Sequence, residues 1–311
     1  MIKYALKRLL AMIPVTLGVI FIIQLILFLS PADAAIIILG NDYTIELGDA
    51  LRHELGLDRP FLVQYVNYVW DLLHLDFGNS YISGQPVIQQ ISARLPHTLV
   101  LVFLSIGICS MVAIPIGIRS AVHPDSFFSN FWSAFAMLGV AMPTFWLGLM
   151  LMLLFSVKLN WLPAIANVSF KGLLMPTLTL AANFLAGNMR TTRSSMLDCI
   201  NQDYVRTARA KGVAEHDVIY KHALKNASLP IITHIGMNIG GQMGGASITE
   251  QIFSYPGLGI MMIQGINQKD TPSICACLVV LSISIGLCNL AVDLLFAVVD
   301  PRIKAMYKKG K

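Results

Sequence analysis

The chain has 311 residues, 56% of them apolar and 13% charged. Soluble globular chains carry roughly 45–50% apolar and about 25% charged residues. Half that charge, with a mean hydropathy of +0.68, excludes a disordered tail, an ordinary cytosolic domain and, despite a net charge of +5, a basic nucleic-acid binder. The composition is that of an integral membrane protein, and the apolar windows below make it an all-α one. Its five cysteines make no disulfide framework: Cys109, Cys275, Cys277 and Cys288 lie in apolar runs, and Cys199 follows a basic stretch.

Six charge-free windows follow along the chain: residues 9–32, 95–118, 126–157, 172–189, 226–249 and 271–292. A helix needs about 20 residues to cross a hydrocarbon core of about 30 Å, so the windows predict six crossings. The first, within 1–30, reads as a retained signal anchor. Ala32-Asp33-Ala34 is a passable cleavage site, but the apolar core exceeds the roughly 7–15 residues of a cleaved signal. Only Pro143 divides the window 126–157, which predicts one long, tilted or kinked helix. A further charge-free stretch, 251–268, holds Pro256, Gly257, Gly259, Gln264, Gly265 and Asn267 and reads as interfacial or re-entrant.

With both termini on one side, that side carries 16 of the 22 Lys and Arg. The positive-inside rule then places the termini and the loop 190–225 in the cytoplasm of a multi-pass cytoplasmic (inner) membrane protein. The domains read as an anchor at 1–30, an extracytoplasmic loop at 31–95, a core at 96–300 and a basic tail at 301–311. In the outer loop Phe61, Tyr65, Tyr68, Val69 and Leu72 recur at helical spacing after Arg59-Pro60, with Asp58, Gln64, Asn67 and Asp71 between them. That is an amphipathic helix opened by proline, lying on the outer leaflet or the bundle mouth, or packed on its own spans.

The cytoplasmic loop reads Asp203-Tyr204-Val205-Arg206-Thr207-Ala208-Arg209-Ala210-Lys211-Gly212 and continues to Ser228-Leu229-Pro230. Good helix formers precede Gly212, which suits the left-handed residue that ends a helix. A second short helix is expected next, with Asp217 and Lys221 paired at i,i+4, ending before Pro230. Two helices joined by glycine form an elbow. Ala208, Ala210 and Gly212 leave room for a partner backbone, whereas a solvated basic loop on anionic lipid is the plainer alternative.

Within the spans, Gly236, Gly240 and Gly244 repeat every four residues and predict close helix packing. Gly240–Ser247 has glycines but no lysine for a phosphate. Polar residues in spans are costly unless they face a pore or a partner. Asn183, Asn188, Asn238, Gln242 and Glu250 are therefore candidates for a translocation path or, equally, for interhelical hydrogen bonds. Asp293 is expected to pair with Arg190 or Arg302. Cys275 and Cys277 point roughly 200° apart on a helix, and no metal site is expected. Paired mid-membrane charges and inverted repeats, expected of an ion-coupled secondary transporter, are not found; a membrane scaffold would lack the polar face on the fifth span.

Tyr204–Gly212, then His222-Ala223-Leu224-Lys225-Asn226 and Leu229-Pro230, resemble the coupling segment of ABC importer permeases. More closely, the chain resembles the first permease subunit of the dipeptide, oligopeptide and nickel family. Leu55-Gly56-Leu57-Asp58-Arg59-Pro60, Asp76-Phe77-Gly78, Arg94-Leu95-Pro96-x-Thr98, Pro143-x-Phe145-Trp146-Leu147-Gly148 and Trp161-Leu162-Pro163 agree with it. So do Arg193-Ser194-Ser195-Met196-Leu197, Phe253-Ser254-Tyr255-Pro256-Gly257-Leu258-Gly259, Asn289-Leu290-x-Val292-Asp293-Leu294-Leu295 and Asp300-Pro301-Arg302. Two places depart from the pattern: the superfamily's Glu-Ala-Ala triplet falls on Arg206-Thr207-Ala208, and its Pro-Gly-Asp turn on Pro31-Ala32-Asp33.

The resemblance implies a type I ABC importer permease fold with a coupling segment at 200–230. It implies a second homologous permease subunit, two cytoplasmic ATPases and an extracytoplasmic solute-binding protein, all at a lipid bilayer. Tyr204, Arg206, Ala208, Ala210, Gly212, His222, Leu229 and Pro230 would meet the ATPases. This chain would be no enzyme and bind no cofactor, ATP and Mg being used by the ATPases. Leu73-His74-Leu75-Asp76-Phe77-Gly78 and Lys225-Asn226-Ala227-Ser228-Leu229-Pro230 look most like nickel-type members, so nickel or a metal chelate is the expected cargo, with dipeptides or oligopeptides as the alternative.

Overall fold

A computed structural model describes residues 2–30 and 33–299, and helix is the dominant regular structure among them. The first helix, α1 (Ile2–Phe28), tolerates Pro14. The chain then folds into α2 (Ala34–Leu39), α3 (Ile45–Glu54) and α4 (Phe61–Leu73). Asp33 caps α2 by accepting from the Ile36 N–H, and its other oxygen pairs with Arg52 of α3 at 2.6 Å. Pro60 opens α4 as expected. The helix packs on its own span: Phe21 of α1 meets Phe61 and Tyr65 at 5.1 and 5.2 Å, and the Tyr65 hydroxyl donates to the Leu17 carbonyl. Leu62, Val66, Trp70 and Leu73 remain exposed on its other side.

The longest helix is α5 (Val87–Val122), 36 residues, or about 54 Å. The window 126–157 is not one kinked helix. It divides into α6 (Phe127–Ala141) and α7 (Thr144–Leu151), whose axes differ by 102°. The cause is local: Met142 precedes a proline and is held extended, at φ −84° and ψ 126°, so the helix restarts with Pro143 as its cap. After a π-helical turn at Met152–Lys158, α8 (Phe170–Ile200) begins behind Ser169, whose hydroxyl accepts from the Gly172 N–H. Then come α9 (Asp203–Ala210), α10 (Glu215–Asp217), a π-helical turn at Val218–Ala223, α11 (Leu224–Ile252), α12 (Leu258–Gln268) and α13 (Thr271–Val299).

The bundle is built on α5 against α8, α8 against α11, and α1 against α13, with α12 set against α11 and α13. Arg8 of α1 pairs with Asp293 of α13. That is the partner Asp293 takes in place of Arg190, while Arg302 lies outside the described residues. Ala5–Phe28, Val87–Val122 and Thr271–Leu294 are long and apolar enough to cross a membrane, and the bent pair α6–α7 would make a fourth crossing. With 31 and 29 residues, α8 and α11 have the length, but Lys171, Arg190, Arg193 and Asp198 dilute one and glycines and amides the other. At 11 residues, or about 16 Å, α12 is too short to span.

Candidate coupling site and bundle interior

The elbow begins at Gln202, held extended at ψ 154°, from which α9 starts. Two turns later Gly212 takes φ +76°. That conformation ends the helix and reverses the chain without the steric penalty a Cβ would meet. Arg209 and Glu215 close the bend from either side, with Nη2 to Oε1 at 2.7 Å and Nε to Oε2 at 3.1 Å. This bidentate pair raises the Arg209 pKa and holds the Glu215 carboxyl below the usual glutamate range. Lys221 and Asp217 make the expected i,i+4 contact at 2.9 Å, and this hydrogen bond, then one from His216, lowers the Asp217 pKa.

The second arm differs from the expectation in one respect. It does not stop before Pro230 but passes through the π-helical turn straight into α11, with Pro230 inside that helix. Proline removes only its own N–H bond to the carbonyl four residues back, and the turns on either side carry the helix through. The elbow is therefore rigidly continuous with α11.

It also has a hydrophobic core of its own. Val205 and Ala208 of α9 pack with Val218, Ile219 and Ala223 of the π-helical turn, against Ile118 and Ala121 of α5, Met196 of α8 and Ala227 of α11. Ala208, expected at the docking surface, is buried at 7% exposure inside this core. Tyr204, Arg206, Ala210, Gly212, His222 and Pro230 stay exposed, and Leu229 is half-buried. Exposed Tyr220 lies against His216 at 4.7 Å between ring centres, the rings tilted by 32°, adding an aromatic pair to that outward face.

The polar candidates inside the bundle bond to one another and to neighbouring helices. Asn183 of α8 donates to Thr144 at the start of α7. Asn188 donates to the Cys109 thiol of α5 at 3.2 Å and accepts from Asn238 of α11 at 3.3 Å. The Gln242 carbonyl accepts from Ser105 of α5 at 2.7 Å. Gln242 is 1% exposed and Glu250 0%. Both are buried within this chain, and their bonds are of the interhelical kind that the sequence left open beside a path role; Asn183 and Asn238 are half-buried. Of the glycines, a Cβ on Gly236 would lie 2.1 Å from Val292 of α13, and one on Gly240 would lie 3.1 Å from Ile285. A Cβ on Gly244 would meet nothing within 4 Å among the described residues.

Glu250 has a structural task instead. Its carboxyl accepts from the Thr98 hydroxyl of α5 at 2.6 Å and from the Ile260 N–H of α12 at 3.0 Å. Thr98 in turn accepts from the Leu258 N–H at 2.8 Å. A Cβ on Gly257 would sit 2.1 Å from the Glu250 carboxyl, and one on Gly259 would overlap Ser247. The Phe253–Gly259 stretch is thus a turn wrapped around a buried acid, fastening α12 to α11 and α5. At the other end of α12, Asp270 accepts from the Ser80 and Ser273 hydroxyls and the Tyr81 N–H at 2.6, 2.7 and 3.0 Å. Burial, followed by the nearby Asp270 charge, pushes the Tyr81 hydroxyl up to about 12.

Two features escaped the sequence reading. His234 lies one turn before Asn238 on α11, with its Nε2 buried and unpartnered beside Gly187; its i,i+4 spacing to Asn238 was the available signal. The Arg209–Glu215 closure spans a turn whose geometry fixes it, and no helical spacing marks it.

Residues 113–305 match the family described as binding-protein-dependent transport system inner membrane component, and residues 1–102 match its N-terminal companion family. A Salmonella typhimurium glutathione transport system permease, GsiC, is 38% identical over 304 residues, covering 98% of this chain and 99% of its own. A Brucella abortus protein provisionally named a peptide transport system permease is 38% identical over 307 residues, covering 96% and 98%. Among solved structures, a chain of the inward-facing MetNI methionine ABC transporter aligns with a TM-score of 0.58 at 20% identity, covering 68% of this chain and 97% of that one. That likeness concerns the fold, and it agrees with an all-α, type I importer arrangement. The chain accordingly belongs to the binding-protein-dependent inner-membrane permeases: it is the non-enzymatic, multi-pass pore component of an ABC importer, working with a separate ATPase and a solute-binding protein.

Proposed function

We propose that this chain forms half of a pore that imports short peptides, with glutathione-sized solutes in its range. The observation that carries this is the pair of relatives named for glutathione and peptide transport, matched over nearly the whole chain. The choice of nickel, made on two short stretches of resemblance, finds no support in those names, and the peptide alternative fits better. The remaining half would be a second homologous permease, with two ATPase subunits that bind ATP and Mg beneath the bilayer.

In this reading the chain crosses the membrane six times with both termini in the cytoplasm, α8 and α11 supplying the two less apolar crossings. Closure of the ATPases presses on the exposed face of the elbow, from Tyr204 and Arg206 through Gly212 to His222. The elbow core passes that push to α5, α8 and α11 together, switching the pore between two states that bind ATPase and cargo differently. Half-buried Asn183 and Asn238 line the path. Uptake of labelled dialanine, glutathione and nickel in a strain lacking this chain, with and without its restoration, tests the reading. Restored peptide or glutathione uptake is expected; restoration of nickel alone refutes it.

A further inference from the structure

On the outer side a cavity of about 440 Å3 lies between the outer end of α1, the helix α4 and the turn joining α12 to α13. Small-molecule sites run from roughly 300 to 1,000 Å3. One face of α4 lines it, with Gln64, Asn67, Tyr68 and Asp71 at i, i+3, i+4 and i+7. These are the polar positions of the helix whose apolar side rests on α1.

Charge is polarised along that face. Arg59 stands just before the helix and Asp71 in its last turn, roughly 20 Å apart by helical rise plus two extended residues. Lys269 belongs to the Arg59 end. Phe28 meets Phe61 at 5.6 Å and so seats the outer end of α1 on the start of α4, and Lys269 donates to Ser30 there at 2.9 Å. The other carboxylates on the wall are committed: Asp33 caps α2 and pairs with Arg52, and Asp76 accepts from the Gly78 N–H at 2.8 Å. The Arg59 guanidinium and the Asp71 carboxylate make no side-chain hydrogen bond among the described residues.

The Arg59 guanidinium lies over Gly56, itself on the cavity wall, and Asp71 lines the same cavity.

We propose that this cavity binds a short zwitterionic peptide, its carboxylate between Arg59 and Lys269 and its ammonium at Asp71. The inference rests on the peptide-importer reading and places a peptide site on the permease itself, outside the membrane path. The test uses the complete importer in proteoliposomes with radiolabelled trialanine. In Asp71→Asn and Arg59→Gln the KM for trialanine is expected to rise at least tenfold, with kcat and basal ATPase activity unchanged. Asp71→Glu should return it to within threefold, and N-acetyl-trialanine should respond to Arg59→Gln but not to Asp71→Asn. A wild-type KM in Asp71→Asn overturns the proposal. So does a wild-type protein that, in vesicles without phosphatidylethanolamine, loses uptake to the level of Asp71→Asn, because the occupant is then a lipid headgroup. Wild-type importer that moves neither trialanine nor glutathione fails earlier, at the peptide reading, and takes this site with it.

Discussion

Replacing Thr98 by valine keeps the shape of a buried side chain and removes one hydroxyl, which here has two bonds. It donates to the Glu250 carboxyl at 2.6 Å and accepts from the Leu258 N–H at 2.8 Å. Thr98 is 1% exposed and Leu258 and Glu250 are fully buried, so water does not replace what is lost. Leaving a buried donor or acceptor unsatisfied costs about 1–3 kcal/mol, more when the group is charged, and two are stranded at once. The sum is about 2–6 kcal/mol. For a chain this long about 2 °C of Tm corresponds to each kcal/mol, giving a drop of about 4–12 °C. The assay is the fraction of detergent-purified importer that survives a heat ramp, read by size-exclusion profile, with Thr98→Ser as the variant that keeps the hydroxyl. A Thr98→Val drop under 1 °C, or a Thr98→Ser drop of equal size, means Glu250 does not fasten α12 in this way.

Three further predictions concern other elements. Gly236→Ala forces a methyl to within 2.1 Å of Val292 and should destabilise the α11–α13 contact by about 1–3 kcal/mol, whereas Gly244→Ala should be neutral in the isolated chain; equal heat stability of the two contradicts the packing. Cysteine at Ala210 should react with a water-soluble maleimide and cysteine at Ala208 should not, since only Ala208 lies in the elbow core; equal labelling rates refute that core. Because Arg209 lowers the Glu215 pKa, the pair stabilises the elbow above the ordinary glutamate value of about 4.3 and loses that contribution as pH falls through the lower folded value. Hydrogen-exchange protection across 203–223 should therefore fall between pH 7 and pH 3, and in Glu215→Gln this part of the fall should vanish.

Legibility in the sequence followed the physical range of each signal. Helical periodicity and proline caps are local, so α4 after Pro60 and the elbow at Gly212 were readable residue by residue. The division of α6 from α7 depended on how one proline is accommodated. A proline inside α5, at Pro96 or Pro115, leaves that helix intact, while Pro143 breaks its own because Met142 goes extended. No window average separates the two cases. Glu250 read as a polar residue near the end of a span, open to either a path or a bond. Only the fold brings Thr98, 152 residues away in sequence, to its carboxyl, as it brings the Glu250 carboxyl against Gly257 and Ser247 against Gly259. Ala208 shows the opposite failure: a small residue leaves room for a partner or for its own core, and composition does not say which.

The same geometry constrains how the permease moves. A loop tethered by surface ion pairs would bend when pushed, because an exposed pair such as Arg209–Glu215 contributes only about 0–1 kcal/mol. The elbow is held instead by buried Val205, Val218, Met196 and Ile231, among others. Each such side chain contributes about 1.5–3 kcal/mol on burial. That core joins α9 to the C-terminal ends of α5 and α8 and to the start of α11 at once. At the opposite ends Glu250 ties α11 to α5 and α12, and Asp270 ties α13 to the loop at Ser80 and Tyr81. With both ends of α5 and α11 fastened by buried contacts, sliding one helix past another breaks more than tilting them together. The transition that fits these contacts is therefore rotation of the α5, α8 and α11 group as one body.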